Sequence, residues 1–150
     1  MRHALDAINQ TASFNRWAGF EVVHAGNGEA ELSMLWRADD MGQYAGFLHA
    51  GLIGGLLDTA CGFAAATTSG RVLASHFSVN CLAPAVGRRF VARGRVIKAG
   101  RRQVFAAAEL FAEPEGGGQL KLVATGNAVL VPVEEAASKP PAPADVKSGA

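Results

Sequence analysis

A chain of 150 residues that is 49% hydrophobic and 18% charged has the length and apolar content of one globular domain able to bury its own core. Fourteen Lys and Arg against 13 Asp and Glu leave a net charge of +1, which excludes an acidic solvating chain and argues against a nucleic-acid binder held by phosphate contacts. The longest apolar stretch, residues 50–66, contains Asp58 and four glycines, so it reads as a core segment and not a membrane span. The N-terminus has neither the apolar core nor the cleavage site of a secretory signal, and a cytoplasmic protein is expected. Cys61 and Cys81 show no metal-ligand spacing and lie in apolar surroundings, as expected of buried reduced thiols.

In chain order, residues 1–18 read as an amphipathic helix, with Ala4, Leu5, Ile8, Ala12 and Trp17 at helical spacing and an end near Gly19. An extended run over 19–23 leads to Gly26-Asn27-Gly28, which supplies the positive-φ residues of a hairpin turn. The next strand alternates Ala30, Leu32, Met34 and Trp36 on a dry face with Glu29, Glu31, Ser33 and Arg37 on a wetter one. A polar loop over 39–47 then enters the long apolar segment through Leu48 and His49. That segment is too long for a strand and apolar nearly all round, which predicts a buried central helix. Gly51, Gly55, Asp58 and Gly62 fall on one stripe of it.

Four more extended segments follow, over 72–82, 89–98, 102–113 and 120–133, separated by turn material. In the last, Leu120, Leu122, Ala124, Gly126, Ala128 and Leu130 share one face and Gln119, Lys121, Thr125 and Asn127 the other. Residues 134–150, rich in Pro, Ala, Ser and Lys, read as a disordered tail. The expected architecture is α+β, one domain over 1–133, with an antiparallel sheet of five to six strands wrapped around a long helix.

Asp58 is the residue to explain, because a carboxylate inside an apolar helix bears a desolvation cost that something must offset. The plain alternative is an aspartate salt-bridged to an arginine or capping another segment. His49 stands at the start of the same helix, where free backbone N–H groups and the positive end of the dipole favour an oxyanion. Nine residues, about 13 Å along the axis, separate the two, so a second subunit must bring them together if they cooperate.

Gly46-Phe47-Leu48-His49-Ala50-Gly51 followed by Leu57-Asp58-Thr59-Ala60 resembles the signature of hotdog-fold thioesterases, in particular the PaaI-like acyl-CoA thioesterases of the phenylacetate-pathway type. Ser78-Val79-Asn80-Cys81-Leu82-Ala83-Pro84 is similar to that family's strand ending in proline, and residues 123–128 are similar to its last strand. The resemblance spans residues 10–133. It implies a homodimer, or a homotetramer made of two such dimers, with active sites at the subunit interface that hydrolyse an acyl-CoA to a free acid and coenzyme A. No metal or organic cofactor is implied, coenzyme A being part of the substrate.

Carried over by position, Asp58 would be the general base or nucleophile and the Ala50 backbone N–H would polarise the carbonyl, with Gly51 beside it. Gln43 stands where the family commonly has an asparagine that positions water or thioester, and His49 would orient this loop. Related enzymes often place a hydroxyl on the following strand facing the Asp. This chain has Ala74, with Ser75 and His76 next to it, so either the hydroxyl is absent or Ser75 supplies it. Phe47, Phe63, Phe77 and Leu82 are available to line an apolar acyl pocket, and Arg88, Arg89, Arg101 and Arg102 to grip the phosphates of coenzyme A. Two other readings are a hydratase or dehydratase of the same fold and a non-catalytic acyl-CoA binding module in which Asp58 is structural.

Overall fold

At the first turn the backbone does what the residues demand: Asn27 and Gly28 take φ of 53° and 78°, and the flanking strands β1 (Glu21–Gly26) and β2 (Glu29–Leu35) pair antiparallel. The computed structural model describes residues 1–134; the expected tail beyond Glu134 lies outside the described residues. Before the hairpin come α1 (Arg2–Thr11) and α2 (Ser13–Ala18), and after it the long helix α3 (Ala50–Ser69). Four strands complete the fold: β3 (Val72–Cys81), β4 (Arg89–Ala99), β5 (Val104–Glu113) and β6 (Lys121–Pro132). They form one six-stranded antiparallel sheet in the order β1-β2-β4-β5-β6-β3, so β3 crosses over to the far edge beside β6.

The sheet curls around α3. Leu56 and Ala60 are wholly buried in one cluster with Leu32, Phe90, Leu110 and Val123, and each buried large aliphatic contributes roughly 1.5–3 kcal/mol. By length and composition α3 could cross a membrane, yet it packs against all six strands. One face, bearing Gly51, Gly55, Asp58 and Gly62, stays exposed or half-buried. This is the hotdog arrangement expected from the sequence, and its strand limits agree with the expected ones to within three residues.

Some details differ. The N-terminal helix is two helices, broken at Ala12, which is extended (φ −85°, ψ 115°). Buried Asn9 explains the break: its amide donates to Phe20 O at 2.7 Å and accepts from Asn15 Nδ2 at 3.0 Å, so α2 folds back. Ser33 sits on the expected wet face but is 5% exposed, because β2 is an interior strand and Ser33 is flanked by Glu21 and Val91. In β6 the pairing with β5 skips Val123, and this bulge brings Val123 as well as Ala124 into the core while Leu122 is only half-buried. Cys81 is exposed, on the edge strand, and only Cys61 is a buried thiol.

Candidate active site

The loop before α3 is closed by its own backbone. Gly42 and Leu48 form a bridge, Gln43 N donates to Phe47 O at 2.8 Å, and His49 N donates to Met41 O at 3.0 Å. The Gln43 side chain turns inward, its Oε1 accepting from the Ala45 and Phe47 N–H groups. Its carbonyl is therefore engaged within the loop and only its NH2 is left to meet a ligand.

His49 is the N-cap of α3. Its Nδ1 accepts from Gly51 N at 2.8 Å, which places the proton of the neutral ring on Nε2. With Gly51 N–H taken, the exposed Ala50 N–H is left without an acceptor among the described residues, at the positive end of a 20-residue helix. His49→Ala is expected to lower stability by about 1 kcal/mol through the lost cap, and His49→Asn to restore most of it, as read by urea unfolding.

Ala50 and Gln43 open onto one cleft of about 370 Å³, whose apolar lining includes Phe47, Ile53, Leu82 and Pro84. Cys81 also lines it, which the sequence reading missed because exposure at a sheet edge depends on strand order. Phe63 and Phe77 lie elsewhere. Phe63 packs against the core, whereas Phe77 stands on β3 with its ring 3.4 Å from where a Cβ of Gly54 would be. A smaller, charged recess of about 180 Å³ lies on the sheet face away from α3, lined by Glu31, Arg93, Arg95 and Glu109. Its arginines are paired with its glutamates, at 2.9 and 3.9 Å.

Asp58 has no ion pair among the described residues, and its Oδ1 is buried without a hydrogen-bond partner. The salt-bridged alternative is thus not realised among the described residues. Burial pushes its carboxyl above the ordinary value. The neighbouring Cys61 thiol is pushed up to about 12, first by burial and then by the Asp58 charge, so it stays protonated. Gly54, one turn before Asp58, packs on Phe77 and Val79; Gly62, one turn after, packs on Leu130. Asp58 therefore lies toward the β3 edge, about 12 Å along the axis from Ala50.

Opposite that stretch of helix, β3 bulges. The ladder passes from Ala74–Leu130 to His76–Val129, leaving Ser75 as the extra residue with its Oγ donating to Val129 O at 3.3 Å. Ala74 shares the face of its partner Leu130, which is turned to α3, and the Ser75 hydroxyl beside it is bound to the Val129 carbonyl. Arg88 and Arg89 both pair with Glu113, at 3.0 and 3.1 Å, at the start of β4. Arg101 and Arg102 lie past its other end, roughly 33 Å away for a strand of this length. The two arginine pairs do not share a site within one chain.

The hotdog fold, whose central helix bears a carboxylate without a partner among the described residues, is the frame for comparison with known proteins. The profile of the Thioesterase superfamily matches residues 45–118, from the loop before α3 into the turn before β6. Among solved structures, a thioesterase family protein from Silicibacter pomeroyi is 34% identical, with a TM-score of 0.78 over 83% of this chain and 92% of that one. The chain belongs to the thioesterase superfamily. The fold alone is shared with two further structures. One is the E. coli PaaI protein from the phenylacetic acid degradation operon (20% identity, TM-score 0.76, 85% of this chain and 89% of that one). The other is zebra fish thioesterase superfamily member 2 (21%, 0.75, 89% and 99%). A search of the curated proteins gives no significant match.

Proposed function

We propose that this protein is a cytoplasmic, PaaI-like acyl-CoA thioesterase that hydrolyses a medium-chain or aryl-acyl thioester, without metal or organic cofactor, to the free acid and coenzyme A. The observation that carries this reading is Asp58: a carboxylate on an apolar helix with no partner among the described residues and a raised affinity for protons. Such a group suits proton abstraction from water. Hydroxide adds to the thioester carbonyl, and the oxyanion is held by the Ala50 N–H at the helix start. The C–S bond then breaks and the coenzyme A thiolate leaves, taking a proton to become the thiol. Direct attack by Asp58, through an anhydride that water opens, uses the same geometry. The apolar cleft beside Ala50 suits the thioester end of the substrate, and the Gln43 NH2 donates into it.

Because Ala50 and Asp58 of one chain are too far apart to meet at one carbonyl, the reading requires a second copy. The free edge of β3, with Leu73 and Phe77 about half exposed, is the surface proposed to pair with its equivalent, and two such dimers can pair again. Phe77→Arg is expected to convert the dimer to monomer in sedimentation and abolish turnover. A dimer that persists, or a monomer with full turnover, places the interface elsewhere.

The direct test is hydrolysis of short, medium, long, phenylacetyl and hydroxybenzoyl acyl-CoAs followed with a thiol-trapping dye. Release of thiol from a medium or aryl member supports the reading, and no release from any overturns it. The bound carbonyl of Gln43 and the missing hydroxyl at Ala74 favour one second reading, a non-catalytic acyl-CoA binder. Binding without turnover, unchanged in Asp58→Asn, would establish that instead.

A further inference from the structure

The open face of α3 is not wholly bare. Phe14, on α2, lies so close to Gly55 that a Cβ there would stand 2.9 Å from its Cε1. Only a residue without a side chain lets this ring rest on the helix backbone. Gly55 is one turn after Gly51 and one turn before Asp58, so the ring stands between the oxyanion end of the helix and the carboxylate.

Phe14 is 44% exposed and Trp17, with its ring centroid 5.9 Å away, is 46% exposed. Despite that exposure both are held firmly. Phe14 meets buried Phe20 edge-on at 5.8 Å, and the Arg37 guanidinium lies 5.4 Å from the Trp17 ring centre. Arg37 also donates to Trp17 O at 2.7 Å and Ala18 O at 3.3 Å and pairs with Asp40 at 3.1 Å. Its own carbonyl accepts from Met41 N, and Met41 O accepts from the His49 N–H. The aromatic pair is thereby tied through one hydrogen-bonded path to the cap of α3.

A rigid apolar surface beside a reactive carboxylate is suited to bounding an apolar group. We propose that Phe14, backed by Trp17, is the wall that limits the size of the acyl group. The inference rests on the thioesterase reading of Asp58. A shorter side chain at Phe14 opens space along the Gly55 stripe and admits longer chains.

The test compares wild type, Phe14→Ala and Phe14→Leu on acyl-CoAs of increasing chain length, with circular dichroism to confirm the fold. Calorimetric binding of non-hydrolysable thioether analogues of the same lengths runs alongside. The expected result is that the long-to-short ratio of kcat/KM rises by about tenfold or more in Phe14→Ala and by less in Phe14→Leu, and that analogue affinities shift in the same order. A purely structural brace between α2 and α3 would lower all lengths by one factor, and that result overturns the proposal. If no protein releases thiol but the analogue ranking still shifts, the thioesterase reading fails and the wall stands. If the ranking does not shift, or no analogue binds, the wall is rejected whatever the turnover.

Discussion

Asp58→Asn is expected to reduce kcat by roughly 10²–10⁴-fold while leaving the protein at least as stable as wild type near neutral pH. The rate loss follows from removing the one group on α3 able to take a proton, in an isosteric replacement that keeps the packing. The stability gain follows from linkage. Burial raises the folded carboxyl above its ordinary value of 3.8, so the folded state binds the proton more tightly than the unfolded chain. The advantage this confers is complete below 3.8 and is lost as pH rises through the raised value. At neutral pH wild type therefore carries an unpartnered buried charge that Asn does not, and the difference in urea midpoint between the two should shrink as pH falls toward 3.8. In activity, wild-type kcat/KM should fall on the acid side with a midpoint above that value. A variant that retains turnover would remove Asp58 from the chemistry, and one that is less stable at neutral pH would mean that the carboxylate has a partner in the assembled protein.

The largest stability effect is expected at Gly94. In β4 this residue faces α3, and a Cβ there would collide with the Ala60 carbonyl oxygen, 2.6 Å from its carbon and 3.1 Å from Cys61 N. These are backbone atoms of a helix enclosed by the sheet, so no side chain can rotate away to make room. Gly94→Val is expected to destabilise by about 3 kcal/mol or more, or to leave the chain unfolded, with Gly94→Ala a milder version of the same effect. Equilibrium urea unfolding measures both. If Gly94→Val unfolds at the wild-type midpoint, the helix does not approach β4 as closely as the structure has it.

The same contact shows where a sequence stops being informative. That residue 94 is a glycine inside a strand is plain from the chain, but which backbone it must admit depends on Ala60 and Cys61 of a helix much earlier in the chain. The bulges at Ser75 and Val123 are hidden for a related reason. Nothing local marks Ser75 or Val123 as the extra residue, because a bulge is a mismatch in count between two strands and neither strand alone carries it. The bulge at Ser75 breaks the alternation on which the choice between Ala74 and Ser75 rested, and it pairs Ala74 with the helix-facing Leu130. Cys81 was read as buried from its apolar neighbours, which hold whatever the strand order; its exposure comes from β3 being an edge. Likewise the charged ends of β4 suggested phosphate grips, and only the β4–β5 pairing put Arg88 and Arg89 on Glu113.

What the chain determined by itself is everything governed by local periodicity and turn chemistry. The hairpin at Gly26-Asn27-Gly28, the limits of the strands, the central helix and its charged interruption at Asp58 follow from patterns a few residues long, because hydrogen-bonded geometry and burial repeat at that scale. The motif around His49 and Asp58 resembled the thioesterase family for the same reason. Tertiary structure alone decided which of these residues meet. It placed Ala50 and Gln43 on one cleft, left Asp58 without a partner among the described residues and laid Phe14 on Gly55. Those outcomes depend on strand order and on backbones packed at contact distance, quantities set by the whole fold at once.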